Sequence, residues 1–204
     1  MKSRRQLMSN FLFRASAHIK TVLSHKKIVL ALAKKADIPF QGITHDLSKF
    51  SPTELFESIK YYTDGKQSPI LACKKAKGYS KAWEHHIKYN KHHLEYWVDQ
   101  NSEFGAKVLP YKYWVELICD NLAAGMNYKK ESWTKEYQLN YWNSEIKFWK
   151  SKPNHYIHQA IEHAITRVYT EVAEKGIDDV ITPQNLRKIY TEERIKEINV
   201  IKGC

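Results

Sequence analysis

Apolar positions recur at three- and four-residue spacing along most of the chain, the pattern of helices that bury one face. Residues 4–36 contain neither Pro nor Gly. Within them His18, Val22, His25, Val29 and Leu32 fall on one stripe, so two imidazoles lie on the face expected to be buried. Asp37-Ile-Pro39 is read as the end of this helix and Gly42 as the turn after it. Ser51-Pro52-Thr-Glu54 is a capping box with Pro at the first helical position, predicting a helix from 52 to about 63, broken by Asp64-Gly65.

Ser68-Pro69 predicts a short helix ending near Gly78, and Ser80 caps a longer one from 81 to about 99. That segment carries His85, His86, Asn90, His92 and His93; on one continuous helix His86 and His93 would share a face. A further helix is expected over 111–124, with Asp120 on it and Gly125 as its stop, although the aromatic residues of 107–116 would also suit a strand. Three more helices follow, over about 135–150, 156–174 and 183–200, separated by Pro153, Gly176 and Pro183. The fold class is all-α, a single globular helical bundle. Residues 1–150 would form its main part and 151–204 a C-terminal helical extension packed on it.

Composition fits this picture. The 204 residues are 43% hydrophobic with only 7 Gly and 6 Pro, too apolar for a disordered chain. No apolar run approaches the roughly 20 residues of a membrane span, so no membrane partner is expected. Cys73, Cys119 and Cys204 are odd in number and form no CxxC pair, which argues against a disulfide framework and for a reducing, cytoplasmic setting. Nine Lys/Arg precede the first acidic residue, Asp37, in superficial likeness to a transit peptide, but a cleaved segment should not carry His25. The net charge of +11 suits either a solvated surface or an anionic partner, a nucleotide or nucleic acid.

The candidate chemistry lies in His25, His45-Asp46, His86, His92-His93 and Asp120. One such residue alone is more often a satisfied core side chain. Five imidazoles and two carboxylates spread over four helical segments are what a one- or two-metal site in a bundle needs, and this donor mix suits Fe, Mn, Zn, Co or Ni better than Mg or Ca. Lys49 could hold a substrate phosphate, Asn90 and Asn121 could support ligands, and His18 or Glu116 could orient one. His155, His158 and His163 are read as ordinary polar-face residues, and the six Trp and thirteen Tyr as packing.

His25 with its following apolar residues, His45-Asp46-Leu-Ser-Lys49 and the distant Asp120 resemble the pattern of HD-domain metalloproteins. A nearer resemblance, over residues 15–130, is to a small uncharacterised family known as DUF5662. It is carried by Gly42-Ile-Thr-His45-Asp46-Leu-Ser-Lys49-Phe-Ser-Pro52-Thr-Glu54, by Ala82-Trp83 through His86, Asn90, His92-His93 and Glu95-Tyr96-Trp97, and by Glu116 with Cys119-Asp120.

The superfamily resemblance implies that residues 1–150 are an HD-like metal-binding domain. His25, His45, Asp46 and Asp120 would bind a first divalent transition metal ion, and Asp46 would bridge to a second held by His86 and by His92 or His93. No Gly-Tyr-Pro follows the His pair, a departure from the cyclic-dinucleotide phosphodiesterases. The expected function is a metal-dependent phosphohydrolase acting on a nucleotide or another small phosphate ester, with Asp46 and Lys49 in the catalytic machinery. A di-iron oxygenase and a non-catalytic, basic nucleic-acid-binding module are the alternatives.

Overall fold

The computed structural model describes residues 4–63, 67–102, 105–151 and 156–202. Among the described residues, ten α-helices and three short 3-10 turns account for the regular structure. Among the described residues there is no strand, only an isolated bridge between Val98 and Ala106.

Helix α1, Arg4–Lys35, is the predicted long helix, and its stripe of His18, Val22, His25, Val29 and Leu32 is buried. It ends where Asp37 takes a left-handed conformation (φ 59°), allowing the Ile38 amide to bond the Ala33 carbonyl and the Asp37 amide the Lys34 carbonyl. Pro39 then starts α2, Pro39–Thr44, which turns back against α1. Gly42 therefore lies inside a helix and does not mark a turn. A Cβ there would come within 2.7 Å of Ala33 Cβ and 3.1 Å of the Leu30 backbone, so the residue is small because two helices touch.

A 3-10 turn, Leu47–Phe50, leads into α3, Pro52–Lys60. The Ser51 hydroxyl caps α3 as predicted, but the helix ends before 63; the Asp64-Gly65 break lies outside the described residues. Helix α4, Pro69–Lys77, ends at a left-handed Gly78.

Helix α5, Lys81–Tyr89, is half the predicted length. Asn90 is extended, and its side-chain amide donates to the His86 carbonyl at 2.8 Å, offering the backbone an alternative to another helical turn. His92 and His93 thus follow the helix, just before a 3-10 turn at Leu94–Trp97, and do not share a helical face with His85 and His86.

Helix α6, Tyr111–Lys129, runs through Gly125. That glycine is a contact point, since a Cβ would meet Gln138 Oε1 at 2.9 Å and Trp133 Nε1 at 3.0 Å. Of the segment read as helix or strand, 111–116 is helical and 107–110 is not. After a third turn, Lys130–Ser132, come α7, Tyr137–Lys150, α8, Gln159–Lys175, the unpredicted short α9, Ile177–Val180, and α10, Pro183–Lys202.

One hydrophobic core joins Val29 and Leu32 of α1, Trp114, Ile118 and Leu122 of α6, Ile165, Val168 and Val172 of α8, and Leu186 and Ile189 of α10. At about 25 cal/mol per Å² of apolar surface, burying one such leucine or isoleucine contributes about 1.5–3 kcal/mol, so this core fixes α1 against α6. His25 and Asp120 project from those two helices.

Candidate metal centre

His45 and Asp46 sit at the exit of α2, outside any helix interior. His45 leaves the helical range (φ −48°, ψ 126°), and Asp46 is left-handed at φ 55°. A non-glycine residue there is strained by about 1–2 kcal/mol, though Asp tolerates it better than most. The kink resolves how neighbouring side chains reach one point. The Lys26 ammonium fixes the approach, donating to the Ile43 and His45 carbonyls at 2.6 Å each.

The predicted ligands converge. His25 Nε2 lies 2.9 Å from Asp120 Oδ1. His45 Nε2 lies 3.3 Å from both Asp46 Oδ2 and Asp120 Oδ1. Across Asp46, Oδ1 is 3.4 Å from His86 Nε2 and 3.6 Å from His92 Nε2. Two sets of ligand atoms, each within 4.8 Å, could hold a metal: His25, His45, Asp46 and Asp120, and then Asp46, His86, His92 and His93. Asp46 is common to both. A third group, His45, His92 and Glu116, meets the same criterion.

The far side of each ring is supported. Glu116 Oε1 lies 3.0 Å from His45 Nδ1 and 3.1 Å from His92 Nδ1. Glu54 places one oxygen 2.8 Å from His86 Nδ1 and the other 2.7 Å from His85 Nδ1. Ionised carboxylates accept only, so the Nδ1 atoms donate to them, and the Nε2 atoms of His45, His86 and His92 face inward, toward Asp46. There the polar atoms lack partners: His25 Nε2, His45 Nε2, His92 Nε2, His93 Nε2 and Asp46 Oδ1 are buried without a hydrogen bond. The close His25–Asp120 and His45–Asp46 approaches are thus ion-pair distances without hydrogen-bond alignment.

Such a group is costly without a counter-charge, at about 1–3 kcal/mol for each unsatisfied polar atom. Burial works against ionisation of Asp46, but His45, Lys49 and His86 hold its carboxyl well below the usual range. Burial likewise opposes Asp120, and His25 and His45 overcome it. Glu116 and Glu54 are held low against burial by their histidines. His45 is raised well above an ordinary imidazole because Asp46, Asp120 and Glu116 outweigh its burial. His93 is pushed well down by burial and then by His92 and His86, so it stays neutral. Ionised carboxylates around inward-facing imidazole nitrogens form a donor set for a divalent cation.

His25, Asp46, His86, His93 and Asp120 of the cluster line a cavity of about 310 Å³, together with His18, Lys49, Tyr62 and Trp83. Lys49 Nζ is 2.5 Å from Asp46 Oδ2, and its charge is kept, against burial, by Asp46 and Asp120. Trp83 stacks on His86 (5.9 Å, 27°) and meets His93 edge-on at 5.1 Å.

The chain matches a family described as being of unknown function, DUF5662, over residues 14–171. It belongs to that family. No curated protein and no solved structure matches the chain. The DUF5662 match extends past residue 150 into α8.

Other expectations fare unevenly. Asn90 contacts His86 Nδ1 at 3.2 Å and bonds the Ser48 hydroxyl, beside the cluster. Asn121 lies toward Tyr169 of α8 and away from the cluster ligands. His163 is exposed as expected, but His158 is buried at the start of α8; His155 lies outside the described residues. Cys73 and Cys119 are free and buried, and Cys204 lies outside the described residues. Among the described residues no helix is long and apolar enough to cross a membrane. The capping box accounts for Glu54 only as a helix cap, and no sequence pattern marks Lys26. The signal for Glu54 was its position nine residues after His45, one helical entry from the motif.

Proposed function

We propose that this DUF5662 chain is a metal-dependent phosphohydrolase of HD-domain type, acting on a nucleotide or another small phosphate ester. The observation that carries the reading is the convergence of five buried, partnerless ligand atoms, four imidazole Nε2 and one carboxylate oxygen, beside a cavity that His25, His93 and Asp46 themselves line. These residues fit a metal. His25, His45, Asp46 and Asp120 would hold one divalent transition ion, Fe, Mn, Zn, Co or Ni, and His86, His92, His93 and Asp46 would hold a second. Such an ion supplies Lewis acidity toward phosphate oxygens and lowers the pKa of a water toward neutrality.

The remaining work falls to the protein. Glu116 and Glu54 fix the tautomer and direction of His45, His92 and His86. Lys49 holds Asp46 and presents a fixed positive charge to a phosphate entering the cavity. Trp83 shields His86 and His93 from solvent, which strengthens the local electrostatics. Enclosure of the cluster within a cavity favours a small ester over a nucleic-acid strand.

The test joins two measurements on protein purified without chelator. Metal analysis should find one to two transition-metal ions per chain, falling to near none in Asp46→Ala. The loaded protein should release phosphate from some member of a panel of mono-, di-, tri- and cyclic nucleotides and simple esters. Inertness across the panel, or phosphate release that survives Asp46→Ala, would overturn the proposal. Substrate-dependent oxygen uptake by iron-loaded protein would replace it with an oxidative chemistry.

A further inference from the structure

The cavity contains a histidine that does not belong to the metal cluster. His18 is buried on α1, seven residues before His25 and on the same face. At about 1.5 Å rise per residue, the two side chains stand about 10 Å apart along the helix. The cluster rings His45, His86 and His92 each have a carboxylate on Nδ1, and His25 faces Asp120. His18 is different: its described neighbour is the ring of Tyr62, edge-on at 6.3 Å. Burial and then the nearby Lys49 ammonium push its pKa down to about 4, so at neutral pH it is uncharged and can both donate and accept a hydrogen bond. Thr21, Asn127 and Tyr62 line the same cavity, adding neutral polar and aromatic groups.

We propose that His18 recognises the end of the substrate remote from its phosphate, and that the substrate is therefore a phosphate monoester bearing a planar, hydrogen-bonding ring that reaches from the cluster toward His18, which stands about 10 Å from His25 along α1. A nucleoside monophosphate has this reach and chemistry; a short ester such as glycerol phosphate does not. The inference rests on the phosphohydrolase reading and assigns His18 as a specificity-determining residue for that site. A neutral imidazole suits an uncharged ring edge and offers no charge to a second phosphate.

The experiment compares adenosine monophosphate with glycerol phosphate in wild type, His18→Leu and His18→Gln, by steady-state kinetics on metal-loaded protein and by calorimetric binding of adenosine monophosphate. Metal content and Tm of each variant serve as the folding control. In His18→Leu the ratio of KM for adenosine monophosphate to KM for glycerol phosphate should rise about tenfold, the worth of one hydrogen bond, with a smaller change in kcat. His18→Gln should recover part of the loss, because its amide also donates and accepts. Calorimetric affinity should fall in parallel.

An unchanged ratio, or equal weakening of both esters, would overturn the role of His18. Hydrolysis of glycerol phosphate without hydrolysis or binding of adenosine monophosphate would sink this inference and leave the phosphohydrolase reading standing. Binding that depends on His18 without hydrolysis of either ester would do the reverse. Neither binding nor hydrolysis would remove both.

Discussion

Glu116 Oε1 sits 3.0 Å from His45 Nδ1, and the same oxygen lies 3.1 Å from His92 Nδ1. One carboxylate on α6 thereby sets two rings that belong to different halves of the cluster. Replacing it with alanine leaves two buried Nδ1–H donors without an acceptor, while Gln offers a neutral oxygen to them. Glu116→Ala should weaken metal binding about 10- to 100-fold, and Glu116→Gln less, as expected when the group behind a ligating histidine is lost. Competition titration against a chromophoric chelator measures both. Wild-type affinity in Glu116→Ala would remove Glu116 from the site.

The buried partnerless atoms predict a second outcome. A metal that binds only the folded state at about 100 times its Kd adds about 2.7 kcal/mol. For a chain of this size that is a Tm shift of about 5–10 °C. Chelation should lower the wild-type Tm by that amount, and differential scanning fluorimetry reads it directly. Asp46→Asn keeps a side chain that tolerates the left-handed backbone at φ 55° but removes the shared charge. Its Tm should be nearly insensitive to chelator. A wild type equally insensitive would mean that the cluster is held by protein contacts alone.

The stripe on α1, the His45-Asp46 pair and Asp120 were legible because each follows from local rules: helical period, a motif and a distant carboxylate on an apolar helix. The end of α5 was not. Residues 81–99 contain no Pro or Gly, so periodicity ran on through Asn90, and only the folded chain shows its side chain competing for the His86 carbonyl. Glycine misled for a related reason. Local punctuation predicts Gly42 as a turn and Gly125 as a stop, whereas Gly42 meets Ala33 and Leu30 of α1 and Gly125 meets Gln138 of α7, packing contacts that no local pattern reports. Glu54 and Lys26 escaped because their partners, His86 and the His45 carbonyl, lie 32 and 19 residues away.

The Gly42 contact can be tested by itself. A methyl there would come within 2.7 Å of Ala33 Cβ and press on the Leu30 backbone. Overpacking of this kind costs about 1–3 kcal/mol, more than the 0.5–1 kcal/mol that Ala gains over Gly in a helix. Gly42→Ala should therefore be destabilised in urea titration. It should also bind metal less tightly, because α2 carries the chain into His45 and Asp46. Ala33→Gly in the same chain should restore part of both losses. Stabilisation by Gly42→Ala alone would show that α1 and α2 have room to spare.

Glu57 holds the start of α5 in place and gives a pH dependence with a definite sign. Its Oε1 accepts from the Ser80 hydroxyl at 2.6 Å and from the Ala82 amide at 3.0 Å. Burial opposes its ionisation, yet these donors win and lower its pKa below the ordinary 4.5. A carboxylate with a depressed folded pKa contributes stability above its unfolded value and loses that contribution as pH falls through the folded one. Glu57→Gln should therefore be less stable than wild type by about 1 kcal/mol at pH 7, the worth of a hydrogen bond to a charged acceptor over a neutral one. The gap should close as pH is lowered from above 4.5 through the depressed folded pKa. Urea denaturation across that range measures it. A gap that stays constant with pH would show that Glu57 acts through shape and not through its charge.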